Sequence, residues 1–291
     1  MSEKPLKRKQ LPQESDIVIR PDGTIHISFL WNDSVDTIPQ ERFSSVAEPS
    51  LVEYQNCKLC PKECGFDRIK GTHPTCGDFK LRISTAGLTL GDEKEIRGEL
   101  GSGAIMLSGC PLKCPSCHNP EMVKNGVPVS AAQFVETAFD LAERGASNLQ
   151  ILSPTVHLPA LRTVFKHLKR SEFPIPILLK SSGYEKIEEL KALEGLVDIY
   201  LPDLKFGSSS LWARRAGVPD YFRIATDAIH EMYRQVGPLV LNEKGAAQRG
   251  LFIRHVKAPL PETERAEILR FLAALPKGVG VSITDNFVQL E

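Results

Sequence analysis

The sequence predicts an α/β protein built on a parallel sheet. From Gly101 onward, short apolar segments alternate with longer stretches whose apolar residues recur at helical spacing. Parallel neighbours in a sheet need a crossover connection, which is most often a helix. The alternation by itself fits an open doubly wound sheet or a barrel-like sheet. In both folds, ligands bind at the carboxyl ends of the strands.

Six segments have the length and the apolar character of strands buried on both faces. They are residues 103–108, 149–152, 175–180, 197–201, 251–256 and 279–284. Helical periodicity predicts helices over residues 131–144, 158–169, 184–193, 219–236 and 261–275. Ser130 is the expected N-cap of the first helix. The pattern allows a break in the fourth helix near Thr226.

Composition limits the class of protein. A chain of 291 residues with 42% hydrophobic and 25% charged residues suits one large soluble domain, or one domain with a small module. The formal net charge of zero argues against nucleic acid as a partner. No apolar run reaches the roughly 18 residues that span a bilayer, and the N-terminus lacks the apolar core of a signal peptide. We therefore expect a cytoplasmic protein that does not bind membranes.

The segment 108–120, SGCPLKCPSCHNP, carries the most specific motif. Cys110, Cys114 and Cys117 have the spacing C-x3-C-x2-C, so one loop can bring three thiolates to one soft metal centre. A closed site needs four ligands. Three cysteines therefore predict a [4Fe-4S] cluster with one iron left open. The alternatives are a loop of reduced cysteines, or a zinc site completed by His118.

Four further cysteines precede this loop. Cys57, Cys60, Cys64 and Cys76 are spaced C-x2-C-x3-C-x11-C. In a reducing compartment such a group is better explained by metal binding than by disulfides. Four thiolates fit zinc or a second iron–sulfur cluster, and the spacing does not distinguish them. A remnant that no longer binds metal is the alternative.

These features divide the chain into three parts. Residues 1–15 are predicted to be a disordered tail, because they are charged and have no helix cap. Residues 16–100 are predicted to form an N-terminal module with a β-hairpin around Pro21-Asp22-Gly23 and the four-cysteine segment. Residues 101–291 are the predicted catalytic core.

The sequence resembles the radical S-adenosylmethionine (SAM) superfamily from about Cys57 to the C-terminus. The central loop with its trailing His118-Asn119, the tripeptide Asp203-Leu204-Lys205 and the cysteine-rich segment carry the resemblance. Within the superfamily, it is similar to the glycyl-radical activases and to proteins like pyruvate formate-lyase activating enzyme. The resemblance implies an incomplete, TIM-like (β/α)6 barrel in place of a doubly wound sheet.

The same resemblance implies an activity. Cys110, Cys114 and Cys117 would hold a [4Fe-4S] cluster whose open iron binds SAM, and reductive cleavage would give methionine and a 5′-deoxyadenosyl radical. A flavodoxin or ferredoxin would donate the electron. A backbone glycine of a partner protein is the leading candidate substrate. The alternatives are a small molecule or a different peptide residue as substrate, or a non-catalytic iron–sulfur or zinc scaffold.

Small hydroxyl residues follow two of the predicted strands. Ser181 and Ser182 stand next to a glycine that lets the backbone approach a ligand closely, and they are candidate polar contacts to SAM. Ser153 and Thr155 occupy the position where the resembled family often has a Gly-Gly-Glu segment. That segment is absent here, so the two hydroxyls are the candidate replacement.

Charged residues follow two later strands. Asp203 and Lys205 are two apart, so in an extended segment they share a face and can serve the carboxylate and amino groups of SAM. Arg254 and His255 are adjacent, so only one of them faces the interior. The resemblance implies that His255 contacts SAM. In the resembled family an aromatic residue usually stands just before the third cysteine and packs on the adenine of SAM. This chain departs from that pattern, because it has Ser116 there.

Overall fold

The structure, a computed structural model, describes most of the chain. It covers residues 45–256 except 116, 118 and 125, then residues 260–284, and two strands at 15–19 and 25–29. The predicted tail up to residue 14, the turn at Pro21-Asp22-Gly23, and the residues Ser116 and His118 lie outside the described part.

The strands, in chain order, are β1 (Ser15–Ile19), β2 (Ile25–Phe29), β3 (Arg82–Thr89), β4 (Ser102–Leu107), β5 (Val127–Pro128), β6 (Leu149–Leu152), β7 (Ile177–Ser181), β8 (Ile199–Pro202), β9 (Val240–Leu241), β10 (Ala247–Val256) and β11 (Gly280–Thr284). All six predicted strands are therefore present. The sequence did not predict β3, β5 or β9.

The α-helices are α1 (Val52–Gln55), α2 (Lys94–Arg97), α3 (Pro120–Lys124), α4 (Ala131–Glu143), α5 (Leu158–Arg170), α6 (Ile187–Lys191), α7 (Leu211–Arg215), α8 (Tyr221–Val236) and α9 (Glu262–Ala273). Ser130 caps α4 as predicted, in a capping box: its hydroxyl accepts from the Gln133 N–H while the Gln133 side chain accepts from the Ser130 N–H. The break that the pattern allowed near Thr226 is absent, and α8 runs unbroken from Tyr221 to Val236. The Thr226 hydroxyl is satisfied within the helix, because it donates to carbonyls of the preceding turn, including that of Phe222 at 3.0 Å.

Six parallel strands form the main sheet, and the α/β prediction is confirmed. β4, β6, β7, β8, β10 and β11 lie side by side in chain order, without the reversal that marks a doubly wound sheet. The antiparallel strand β3 covers the outer edge of β4. Among the described strands β4 and β11 do not pair, so the sheet is open and a closed barrel is not present.

The two faces of the sheet have different neighbours. One face packs against the helices in the main core, where Ile151, Leu179 and Ile253 meet residues of α5 and α8. Burying each such side chain contributes about 1.5–3 kcal/mol. The other face holds a small apolar cluster that includes Leu178 and Phe252. This inner face leads to the site described below.

One strand of the N-terminal segment, β3, belongs to this sheet, whereas β1 and β2 form a separate two-stranded sheet. The predicted hairpin strands β1 and β2 pair antiparallel with Ile17 opposite Ile27. β3 belongs to the main sheet, although the sequence placed all of residues 16–100 in a separate module. The sheet therefore begins about twenty residues earlier than the expected core, at Arg82. None of the described helices has the length and apolar character needed to cross a membrane.

Candidate active site

A cavity of about 350 Å³ lies at the carboxyl ends of the parallel strands. Its walls come from the loops after β4, β6, β7 and β8 and from the end of β10. Most of the residues selected from the sequence line it: Cys110, Cys114, Cys117, Ser153, Thr155, Ser181, Ser182, Asp203 and Lys205. A parallel sheet explains why segments so distant in the chain meet, because all its carboxyl ends share one edge.

The three thiols of the central loop share this cavity. Burial, with smaller contributions from the neighbouring thiols of Cys114 and Cys117, raises the pKa of Cys110 to about 12. Burial also raises the pKa of Cys114, while Lys205 opposes that shift. In the part of the chain that the structure describes, no three Cys, His, Asp or Glu side chains are already arranged as ligands of one metal ion. The loop thus brings the three thiols to one cavity without a finished ligand set.

The start of this loop is held by a buried histidine. The Nε2 of His157 lies 2.7 Å from the carbonyl oxygen of Ser108, and the imidazole is only 1% exposed. Burial lowers the pKa of His157 to about 4, helped by the charge of Arg68. The ring is therefore neutral at physiological pH, and the proton that it carries on Nε2 is donated to Ser108.

Asp203 lies between two cations at the far wall. Its carboxylate contacts Lys205 Nζ at 2.5 Å and Arg254 Nε at 2.8 Å. Burial alone would raise the pKa of Asp203, but the two cations outweigh it and hold the pKa below its usual range. The hydroxyl of Tyr221 fixes this segment, because it contacts the Asp203 carbonyl oxygen at 2.6 Å and accepts from the Lys205 N–H at 2.9 Å.

The hydroxyl residues occupy the wall between the thiols and the charged group. Ser153 has φ +56°, a left-handed conformation that is uncommon outside glycine and that marks functional loops. The Oγ of Ser182 is buried without a hydrogen-bond partner among the described atoms. Thr155 and Ser181 both donate to the buried carboxylate of Glu185, at 2.9 and 3.0 Å. The cavity therefore contains polar groups that a ligand could satisfy.

His255 is not at the cavity; Arg254 is. His255 is 2% exposed, and its Nδ1 lies 2.6 Å from the carbonyl oxygen of Leu204. The cause is strand alternation: Ile253 and His255 point to the helix-covered face, whereas Phe252 and Arg254 point inward. The preference for His255 as the residue that faces the interior therefore disagrees with the structure.

The four early cysteines lie near one another. Cys57 and Cys60 are buried and Cys64 is exposed. Burial raises the pKa of Cys76 to about 12, and the thiols of Cys60, Cys57 and Cys64 add to the shift. Thiols influence each other's pKa only when they are close.

Arg68 connects this segment to the cavity loops. Its guanidinium is 1% exposed and donates to the carbonyl oxygens of Cys76 at 3.2 Å and Val156 at 2.7 Å. Val156 stands between Thr155, which lines the cavity, and His157, which holds the central loop. The four-cysteine segment is thus fastened to the core by a buried charge.

Sequence reasoning missed three residues of the site. Lys180 lines the cavity and pairs with Asp92, whose side chain is 3% exposed. Arg254 was placed on the wrong face, since β10 is buried on both sides and gives no alternation signal. Glu185 was assigned to the first turn of a helix, whereas α6 begins two residues later.

Comparison with known proteins gives two relatives. No family model matches the chain. It is 28% identical over 191 residues to an uncharacterized protein of Methanocaldococcus jannaschii, a match that covers 59% of this chain and 52% of that protein. It is 24% identical over 177 residues to a Haemophilus influenzae protein named "Putative glycyl-radical enzyme activating enzyme", covering 55% of this chain and 67% of that protein. The chain thus matches about half of the first relative's length and two thirds of the second's.

Proposed function

We propose that this chain is a radical SAM enzyme. The observation that carries the proposal is the meeting of the three thiols of the C-x3-C-x2-C loop with hydroxyl and charged side chains in one cavity at the carboxyl ends of the strands. The similarity to the H. influenzae protein supports the same class. In this proposal the six parallel strands form the incomplete barrel that the resemblance implies.

The residues at the cavity fit a [4Fe-4S] cluster and SAM. Thiolates are the usual ligands of such clusters, and three of them leave one iron for another ligand. A volume of about 350 Å³ is within the usual ~300–1,000 Å³ range of small-molecule sites. The unpartnered Oγ of Ser182 needs a polar partner, because buried polar groups are rarely left unsatisfied.

The cluster and SAM, when bound, supply a 5′-deoxyadenosyl radical for hydrogen abstraction. Cys110, Cys114 and Cys117 would hold the irons and would lose their protons on binding them. Lys205, fixed by Asp203, offers an ammonium to a ligand carboxylate. Apolar side chains such as Phe206 also line the cavity and would keep water away from that part of a bound ligand.

Cleavage of SAM tests the class. Protein that has been purified and reconstituted without air is expected to convert SAM and dithionite into 5′-deoxyadenosine and methionine. The triple variant with alanine at Cys110, Cys114 and Cys117 is expected to lose this activity while its circular dichroism spectrum stays unchanged. Cleavage retained in the triple variant would disprove the assignment, and absence of cleavage in the wild type would favour a metal-binding scaffold.

The proposed substrate is a protein, with a backbone glycine as the site of hydrogen abstraction. The name of the H. influenzae relative supports this choice, and a small molecule or another peptide residue is the alternative. A cell extract that contains the substrate should raise the yield of 5′-deoxyadenosine when it is added to the reaction. The fraction of the extract that raises the yield should be macromolecular and sensitive to protease. Activity in the ultrafiltrate would indicate a small molecule instead.

The proposed electron donor is a reduced flavodoxin or ferredoxin, acting in place of dithionite. Cleavage should proceed when either protein, reduced enzymatically, is the sole reductant.

We also propose that Cys57, Cys60, Cys64 and Cys76 bind zinc or a second iron–sulfur cluster, supported by the mutual effects of these thiols on their pKa values. Iron and zinc analysis with Mössbauer spectra of protein purified without air decides between the two metals.

A further inference from the structure

Glu185 is a buried carboxyl group next to the cavity that does not line it. It is 1% exposed, and each of its oxygen atoms accepts one hydrogen bond, from Thr155 at 2.9 Å and from Ser181 at 3.0 Å. Among the described side chains it forms no ion pair. An acidic group buried with only two hydroxyl partners is costly for folding. A role in function would explain why the protein keeps a carboxyl group at this buried position.

The two hydrogen bonds fix the direction of both hydroxyl groups. A hydroxyl has a single proton, so a hydroxyl that donates to the ionised carboxylate of Glu185 can only accept hydrogen bonds from a ligand in the cavity. Ser181 Oγ already accepts from the Gly183 N–H at 3.2 Å. Thr155 Oγ1 is therefore the more open acceptor of the two residues, and both line the cavity. This part of the wall suits a ligand group that donates hydrogen bonds.

The charged side chains of the far wall suit the other end of such a ligand. Lys180 is paired with Asp92, while Lys205 and Arg254 share the single carboxylate of Asp203. Arg254 is also attracted by Glu93, so Lys205 is the cation of the far wall that can best serve a ligand. A ligand with a carboxylate toward Lys205 and an amino group toward Thr155 would match both ends.

We infer that Glu185 is a positioning residue that orients the hydroxyls of Thr155 and Ser181 to accept from the amino group of an amino-acid-type ligand. The inference rests on the proposed function to the extent that SAM is the ligand that carries this group. Glu185 itself does not touch the ligand. When it is ionised, it holds the protons of both hydroxyls and so prevents them from donating to a ligand in the cavity.

Binding measurements with two ligands test this role. Glu185→Gln introduces an amide N–H that forces at least one hydroxyl to accept from it and to turn its own proton toward the cavity. Calorimetry at about pH 8, above the pKa of about 7 of Glu185, on anaerobically reconstituted protein should show roughly tenfold weaker binding of SAM, the typical effect of losing one strong hydrogen bond. Binding of the SAM analogue with hydrogen in place of the amino group should change less than about twofold.

Two further variants complete the test. Thr155→Val removes the open acceptor with little change in shape and should also weaken SAM more than the deaminated analogue. Glu188→Gln, an exposed position on α6, is the matched control and should leave both affinities unchanged. Equal losses for the two ligands in Glu185→Gln, or no loss for either, would overturn the inference while SAM cleavage by the wild type leaves the proposed function intact. A wild type that does not bind SAM would overturn both.

Discussion

The sulfur atom of Cys76 lies 3.9 Å from the carbonyl oxygen of Cys110. Beside it, the N–H of Cys110 donates to the carbonyl of Thr75 at 3.3 Å. Only glycine fits at position 109, because a Cβ there would come within 2.6 Å of the Cys76 carbonyl oxygen. The last cysteine of the early set therefore contacts the first cysteine of the central loop. The two candidate metal-binding segments fold against each other.

This contact predicts unequal effects of two cysteine substitutions. Cys76→Ala and Cys57→Ala each remove one thiol of the early set, but only Cys76 contacts the central loop. We expect Cys76→Ala to lower the iron bound by the central loop more than Cys57→Ala does. Iron content and Mössbauer spectra after anaerobic reconstitution measure this. Equal losses would show that the contact itself is unimportant.

Arg68 is predicted to stabilise the whole fold. Its buried guanidinium serves several carbonyl oxygens, including those of Cys76 and Val156, and a Met in its place would leave them without donors. We expect Arg68→Met to lower the free energy of unfolding by about 3 kcal/mol or more. Urea denaturation of the metal-free protein measures the loss.

Two controls separate the network of Arg68 from its charge. Arg68→Lys keeps the charge but presents its donors at one point, so it should recover only part of the loss. Arg223→Met changes an arginine whose side chain is 70% exposed, and it should cost less than about 0.5 kcal/mol. A full recovery by lysine would contradict the role assigned to the separate hydrogen bonds.

Arg254 is expected to matter more than His255 for ligand binding. Arg254→Gln removes one of the two cations that hold Asp203, so the carboxylate and Lys205 lose their fixed position. The dissociation constant for SAM should rise about tenfold or more. His255→Asn keeps a donor near the Leu204 carbonyl and should leave binding almost unchanged. The reverse order of effects would restore the prediction made from the sequence.

His157 is expected to support cluster assembly without contacting the cavity. Removal of its ring in His157→Ala frees the carbonyl of Ser108, two residues before Cys110, and should lower the iron content after reconstitution. His157→Gln places an amide N–H close to the position of Nε2 and should restore much of that iron. Resistance of the bound iron to a chelator provides an independent measurement. If glutamine fails to improve on alanine, the hydrogen bond is not what supports the loop.

Glu185 is predicted to cost stability above neutral pH. Burial raises its pKa from 4.5 to about 7, so between these values the folded chain keeps a proton that the unfolded chain has lost. Stability contributed by this proton is present below pH 4.5 and is lost as pH rises through about 7. Glu185→Gln should therefore be more stable than the wild type above about pH 7, by up to about 3 kcal/mol, with no advantage below about pH 4.5.

Urea denaturation of ligand-free protein across this pH range checks the prediction. The other ionisable groups that act on Glu185 do not titrate in the window. The pKa of Asp203 is lowered and that of Lys205 is raised, while burial raises the pKa values of Tyr200 and Tyr221. A difference between wild type and Glu185→Gln that does not vary with pH would contradict the assignment.

The sequence predicted the parts of the fold that depend on local patterns. The six parallel strands and the cap at Ser130 follow from apolar runs and from one hydroxyl residue at a helix start. β3 was missed because it is antiparallel and precedes the first helical crossover, so the alternation of strand and helix segments in the sequence does not include it. The gathering of the cysteines, Ser181 and Asp203 at one cavity followed from the shared edge of a parallel sheet.

The remaining site residues depend on information that a single sequence lacks. Arg254 and His255 are neighbours on a strand buried on both faces, so neither polarity nor period decides which one points inward. Glu185 looks like an ordinary residue of a first helical turn, and only the folded loop shows that Thr155, 30 positions earlier, donates to it. Long-range partners of buried polar groups are set by tertiary structure.

The order of the strands gives the two margins of the sheet different surroundings. The cysteine loop follows β4, whose outer edge β3 already covers, while β11 stands at the opposite margin and pairs only with β10 among the described strands. Substitutions at the β11 margin would therefore change what can approach the cavity from that side without disturbing the strand pairs next to the cysteine loop.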